Sequence, residues 1–268
     1  MKAALTPSLR VAFPKGRHFA VTWGISDTHG GMTSALLQRS RAFVQLGGVH
    51  VDVLTFDTGS NYPSLGEKLR VQGELVDGMG LRNLWDWLRD NPSPEASASG
   101  LDLRAFAPLS ATSFASATER SGRALTRNRY ASDGRTVLQT DHYRLDGSLL
   151  VSDRRDIQTP GIRGGRSVVL CDETGTPVRS WTSIWALYRF WLDQLSGRSQ
   201  SYFIVDSKTA ANFMTSYRRP FAVTLHVVHS SHLATAERPF APLKPSRKHV
   251  FENLASFDAV VLLTQRQR

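Results

Sequence analysis

The chain has 268 residues, 41% of them hydrophobic and 21% charged, which is a globular composition long enough for one large domain or two small ones. Thirty-three Lys and Arg against 23 Asp and Glu give a net charge of +10, so the expected partner is anionic: nucleic acid, a phosphate-linked polymer or an acidic membrane surface. Cys171 is the single cysteine, which excludes an internal disulfide and a Cys-based zinc site.

In chain order, the N-terminus carries Pro7 and Pro14 and lacks the unbroken apolar stretch of a signal peptide. No apolar run reaches the ~20 residues of a spanning helix, so membrane contact is expected to be peripheral. "HFAVTWGI", His18 to Ile25, reads as a buried strand. After a glycine turn, Thr33 to Leu46 has Leu36, Leu37, Phe43 and Val44 on one helical face and Gln38, Arg39, Arg41 and Gln45 on the other. Gly47-Gly48 stops that helix, and Val49 to Asp57 alternates as a second strand. Strand, helix and strand with short connections make a βαβ unit and hence a parallel sheet. Leu81, Leu84, Trp85 and Leu88 are at helical spacing and predict a helix over Met79 to Arg89.

"DNPSPEASASG", Asp90 to Gly100, is loop by composition. Strand-like pieces then follow, broken at Ser132–Arg135, Leu145–Ser148 and Asp172–Pro177, and Asp-Gly between such pieces signals hairpins. The α/β rhythm resumes with a helix whose face is Ile184, Leu187, Tyr188, Trp191 and Leu195. It continues through "YFIVDS", "KTAANFMTSY", "FAVTLHVVHS", "SRKHVFENL" and "FDAVVLLT". The expected architecture is α/β: a Rossmann-like parallel sheet in residues 1–98 and 181–268, with an antiparallel β-meander inserted at 99–180. A last strand four residues from the C-terminus lacks a covering helix, which suggests a fragment or one half of a split protein.

Two chemistries compete for the turn "SDTHGGMTS". Asp27-x-His29 looks like the opening block of calcineurin-like metallophosphoesterases, with His226, His229 and His232 as late imidazole ligands. The bridging carboxylate and Asn-His blocks of such a centre are missing from the sequence. Alternatively, Gly30 and Gly31 admit a ligand close to the backbone, and Thr33 stands where an N-cap is expected. Exposed amides and the helix dipole would then favour a diphosphate.

"GGMTSALLQRSRAFVQLGGVHVDVLTFDT" resembles the first βαβ unit of GT-B glycosyltransferases, in particular the bacterial poly(glycerol-phosphate) and wall teichoic acid α-glycosyltransferases. "YRLDGSLLVSDRRD", "AVTLHVVHSSH" and "FENLASFDAVVLLTQRQ" extend the resemblance over essentially the whole chain. It implies a retaining transferase that moves a hexose or N-acetylhexosamine from a nucleotide diphosphate sugar to a cell-envelope polymer such as teichoic acid, or to a protein acceptor, with no metal or other cofactor. It implies that Gly30, Gly31 and Thr33 face the donor diphosphate and that His229 lies near the transferred sugar as the catalytic residue. Asp27, His29 and His232 would line the same cleft. In that family the cations on the diphosphate and the glutamate pair on the sugar come from a C-terminal domain, expected beyond Gln267, so this chain would be the acceptor-side half, inactive without that domain or a partner chain.

Arg123, Arg127, Arg129, Arg135, Arg154, Arg155, Arg163 and Arg166 fall in the insertion, and Arg154 and Arg155 are the expected contacts to an anionic acceptor. The arginines are not interleaved with stacking aromatics, so nucleic acid is not the expected partner. Free sheet edges make the insertion a candidate for homo-oligomer formation. A cytoplasmic protein, peripheral at the inner membrane face, fits these expectations. A metal-dependent phosphoesterase and a non-catalytic anion-binding module remain the alternatives.

Overall fold

A computed structural model of the chain describes residues 12–91, 103, 106–110, 116–159, 162–234 and 241–267. The N-terminal stretch to residue 11, most of the loop expected at Asp90–Gly100 and the side chain of Arg163 lie outside the described residues. The chain divides into two compact units, Met1–Asn83 with Leu195–Arg268, and Leu84–Gln194.

The first unit is a six-stranded, wholly parallel sheet. The opening strand β1 (Arg17–Val21) leads into helix α1 (Gly31–Gly47) and strand β2 (Val51–Thr55). Helix α2 (Tyr62–Val71) and strand β3 (Met79–Asn83) follow. β2 is buried at all five positions, as expected of a strand covered on both faces. α1 sets Leu36 and Leu37 into a core of Ala20, Ile25, Val51, Val53, Leu65 and Leu69. Each such side chain contributes about 1.5–3 kcal/mol by leaving water. Gly48 ends α1 in the left-handed conformation at φ 64°, and its N–H donates to the Val44 carbonyl at 3.0 Å.

The second unit opens with α3 (Leu84–Asp90) and holds six antiparallel strands in simple succession. They are β4 (Ser116–Arg120), β5 (Arg123–Tyr130), β6 (Val137–Tyr143), β7 (Leu149–Thr159), β8 (Ile162–Cys171) and β9 (Pro177–Trp181). Three connections use an aspartate whose carboxylate accepts the amide two residues on: Asp133 from Arg135, Asp146 from Ser148 and Asp172 from Thr174, at 2.8–2.9 Å. Gly134, Gly147 and Gly175 then take positive φ (63°, 92° and 82°). α4 (Ile184–Ser196) buries Ile184, Leu187, Tyr188, Trp191 and Leu195, the face the sequence gives it.

The chain then returns to the first sheet through β10 (Ser201–Val205), α5 (Lys208–Met214), β11 (Ala222–Val228), α6 (Pro245–Glu252) and β12 (Ala259–Leu262). The strand order is β3-β2-β1-β10-β11-β12. This is the Rossmann order 3-2-1-4-5-6, with the reversal of winding between β1 and β10. Ligands of open α/β sheets bind beyond the carboxyl ends of the strands at that point.

One expected helix is corrected. Met79–Asn83 is not helical but pairs in parallel with β2, Met79 opposite Val51 and Asn83 opposite Thr55, and only Leu84–Asp90 coils. Pairing with the exposed edge of β2 outweighs a helical spacing that the strand and the short helix share between them. α3 and α4 group with the antiparallel sheet, so this unit is wider than residues 99–180. α2, with Pro63 in its first turn and Leu65 and Leu69 buried one turn apart, was not anticipated.

Candidate functional site

The site is built where β1, β10 and β11 end. β1 hands over to the loop Thr22–Gly30, and α1 starts directly after Gly30. Gly30 is the N-cap, with extended backbone at φ −92° and ψ −176°, a conformation open to any residue. No side chain caps this end and no acid lies in the first turn, so the leading amides of a 17-residue helix keep their donors. A Cβ added at Gly30 or at Gly31 would meet nothing within 4 Å. The fold therefore does not require glycine at either position, and the missing side chains leave open space over the helix N-terminus.

Thr33 is corrected as the cap. It is the third residue of α1 and only 6% exposed, because the extended Gly30 starts the helix earlier than the apolar spacing suggests.

Asp206 follows β10 directly, its amide donating to the Val21 carbonyl at 2.9 Å. Ser207 caps α5 through its hydroxyl, which accepts from the amides of Thr209 and Ala210. The Asp206 carboxylate is fully buried and bridges a guanidinium and an imidazole. Arg39 of α1 donates to both oxygens, Nη1 to Oδ1 at 2.9 Å and Nη2 to Oδ2 at 2.6 Å. His229, the first residue after β11, approaches Oδ1 with Nε2 at 2.7 Å. A carboxylate only accepts, so Nε2 donates, and in the neutral ring this tautomer leaves Nδ1 its lone pair. Burial alone would raise the Asp206 carboxyl. The hydrogen bonds and charges of Arg39 and His229 outweigh it and hold the group below the usual carboxylate range.

The structure places the other candidates as follows. His29 Nε2 lies 2.9 Å from Glu74, and Asp27 is exposed, 3.7 Å from Lys68. Each side chain thus faces its own partner on or just after α2. Among the described residues no three His, Cys, Asp or Glu side chains gather as metal ligands. His226 is a buried core histidine whose Nδ1 donates to the Val205 carbonyl at 2.9 Å. His232 stacks on Phe251 of α6, ring centroids 4.5 Å apart. Burial, and then the charge of Arg247, lower its pKa. In the second unit, Arg154 pairs with Asp156 at 2.9 Å and Arg155 with Asp153 at 3.2 Å. Arg129 and Arg166 share these two aspartates, so the two carboxylates offset half the charge of these four arginines.

Two residues of the site escaped the sequence reading: Arg39 and Asp206. Arg39 was visible only as a polar-face residue. Asp206 was visible as an acid ending the apolar run "YFIVD", the one available signal.

Three solved structures share this arrangement of elements. A variant of S. aureus TarM crystallised with fondaparinux, α-GlcNAc-glycerol and UDP matches at TM-score 0.67 and 17% identity, over 95% of this chain and 58% of that one. TarM itself matches at 0.59 and 18%, over 96% and 58%. The pneumococcal O-GlcNAc transferase GtfA, crystallised with UDP and GlcNAc, matches at 0.52 and 14%, over 94% and 56%. The chain has the fold of the matched part of these GT-B glycosyltransferases. It spans a little over half of their length. No protein-family model matches the sequence, and no curated protein matches it by sequence. The GT-B likeness extends over both units, the antiparallel meander included, since it covers 95% of the chain.

Proposed function

We propose that this chain is the acceptor-side half of a retaining GT-B glycosyltransferase, taking a hexose or N-acetylhexosamine from a nucleotide diphosphate sugar to a cell-envelope polymer such as teichoic acid. The observation that carries the reading is that, along the carboxyl ends of β1, β10 and β11, the sheet has an open glycine-lined helix N-terminus after β1 and a histidine after β11 oriented by a buried carboxylate after β10. Transfer leaves negative charge on the departing diphosphate. The α1 amides at Gly30 and Gly31 stabilise it from a fixed position, without reorganisation as the bond breaks. His229 presents Nδ1 to a hydroxyl of the transferred sugar. Asp206 fixes the tautomer and stabilises the imidazolium if the ring takes up a proton. Arg39 keeps Asp206 ionised for that task.

The surplus of positive charge fits an acceptor with a phosphate in each repeat, and the same attraction suits a peripheral, cytoplasmic location at an anionic membrane. No helix among the described residues is long and apolar enough to cross a membrane. A protein acceptor and self-association through the antiparallel sheet belong to the same proposal. Chemistry at the diphosphate and sugar needs the remainder of the GT-B architecture, on the same polypeptide or a partner. The phosphoesterase alternative has no support in the geometry, since Asp27 and His29 face Lys68 and Glu74.

The test is transfer of radiolabel from UDP-N-acetylglucosamine to poly(glycerol phosphate). The assembled enzyme should label the polymer and lose at least a hundredfold in rate on His229→Ala, while the 268-residue chain alone should not turn over. Robust turnover by the chain alone contradicts the half-enzyme reading. An assembled enzyme indifferent to His229→Ala contradicts the assigned site.

A further inference from the structure

Two arginines are buried among the described residues, Arg144 and Arg247, and they are treated in opposite ways. Arg144 spends its guanidinium on three backbone carbonyls, those of Leu149, Cys171 and Asp172, at 2.7–3.0 Å. Arg247, 6% exposed in the first turn of α6, has one acceptor: Nη2 donates to the Ser230 hydroxyl at 2.8 Å. Its Nη1 is buried, and among the described residues it has no hydrogen-bond partner and no carboxylate pairs with the guanidinium. The half-buried Arg39, Arg129 and Arg166, by contrast, each hold an aspartate. A buried guanidinium without counter-charge is costly, and nothing in the fold of α6 calls for it.

The surroundings repeat the pattern. α6 has no side-chain cap and no acid in its first turn, its N-cap residue is Lys244, and Lys208 reaches the Ser246 hydroxyl at 3.4 Å. His232 adds a buried Nδ1 without a partner, within range of the Arg247 charge. Ser230, which Arg247 holds, is the residue immediately after His229.

We propose that Arg247, with Ser230 and His232, forms a phosphate subsite beside His229 that takes a phosphate group of the acceptor. A guanidinium, a hydroxyl and an imidazole N–H are the donor set that a tetrahedral oxyanion accepts from. The donor diphosphate is already assigned to the N-terminus of α1, over β1. Ser230 and His232 instead follow β11, two strands from β1, so we assign the donor's diphosphate to α1 and the acceptor's phosphate to this site. The site therefore selects an acceptor whose reacting hydroxyl belongs to a phosphate ester. Its role as acceptor subsite rests on the transferase reading; its affinity for phosphate does not.

The experiment measures binding of inorganic phosphate, glycerol 1-phosphate and UDP to the whole chain by calorimetry, in chloride of matched ionic strength, for wild type, Arg247→Met and Ser230→Ala. Phosphate and glycerol 1-phosphate should bind wild type, weaken at least tenfold in Arg247→Met and about threefold in Ser230→Ala, and UDP affinity should stay within twofold. If Arg247→Met fails to fold, Ser230→Ala decides. Unchanged phosphate affinity in the folded variants, or a loss confined to UDP, overturns the subsite. A protein that binds phosphate through Arg247 but binds no UDP even when the remainder of the GT-B architecture is supplied would count against the transferase reading alone.

Discussion

Replacing Asp206 by Asn tests the electrostatic centre of the site. The carboxylate is fully buried and accepts three hydrogen bonds, two from Arg39 and one from His229. Asn keeps one oxygen but turns an amide N–H toward a cation that can only donate. Breaking a buried ion pair by removing one partner costs about 3–5 kcal/mol. The Arg39 side chain is 23% exposed, so water recovers part of this, and we expect about 2–4 kcal/mol. At roughly 2–4 °C per kcal/mol for a unit of this size, the melting temperature should fall by about 5–15 °C. Urea denaturation gives the loss directly. A cycle with Arg39→Met should show a coupling above about 1 kcal/mol, because the second substitution removes a charge already stranded. Nitrogen-15 spectra should show the His229 Nε2–H tautomer in wild type and a tautomer mixture in Asp206→Asn. A loss below about 0.5 kcal/mol with no coupling would refute the argument that Asp206 ties α1 to β11.

Gly30→Ala and Gly31→Ala should leave the urea midpoint unchanged within error, since neither Cβ meets an atom within 4 Å and Gly30 already has extended backbone. Both should weaken UDP binding at least tenfold; a variant that unfolds, or binds UDP normally, removes the ligand-approach argument. Acidification should destabilise the protein in two limbs. His142, His226 and His232, all lowered by burial first, bind protons more readily when unfolded, so their share of stability is lost as pH falls from their ordinary 6.5 toward the depressed folded values. Asp206, lowered in the folded state, contributes stability that persists above its ordinary 3.8 and disappears below it. Urea midpoints between pH 8 and pH 3 should show both limbs, the lower one reduced in Asp206→Asn; a midpoint that is flat across this range contradicts the assignment.

Local signals in the sequence set most of the architecture. The βαβ opening, the Asp-Gly hairpins and the alternation after Ile184 each rest on contacts between near neighbours, and the structure has them. Met79–Asn83 was misread because strand pairing with β2 is a long-range choice that a helical spacing does not reveal. The same limit applies to the site. The glycine pair stands out locally as glycines opening a helix, whereas His229 was singled out by the resemblance of "AVTLHVVHSSH" to the glycosyltransferases. Arg39, Asp206 and Arg247 were not, because their roles arise from burial and from partners 167 residues away for Arg39 and 17 for Arg247. The arginine-rich insertion shows the converse error. Counting charges in the sequence overstates the free positive surface when Asp153 and Asp156 each hold two arginines.

The central claim is tested most directly by titrating isotope-labelled protein with UDP-N-acetylglucosamine and following amide and imidazole resonances, which detects even millimolar binding. The account predicts saturable shifts concentrated at Gly30, Gly31 and the His229 ring. Saturable shifts confined to other positions, or none at millimolar ligand, would contradict it.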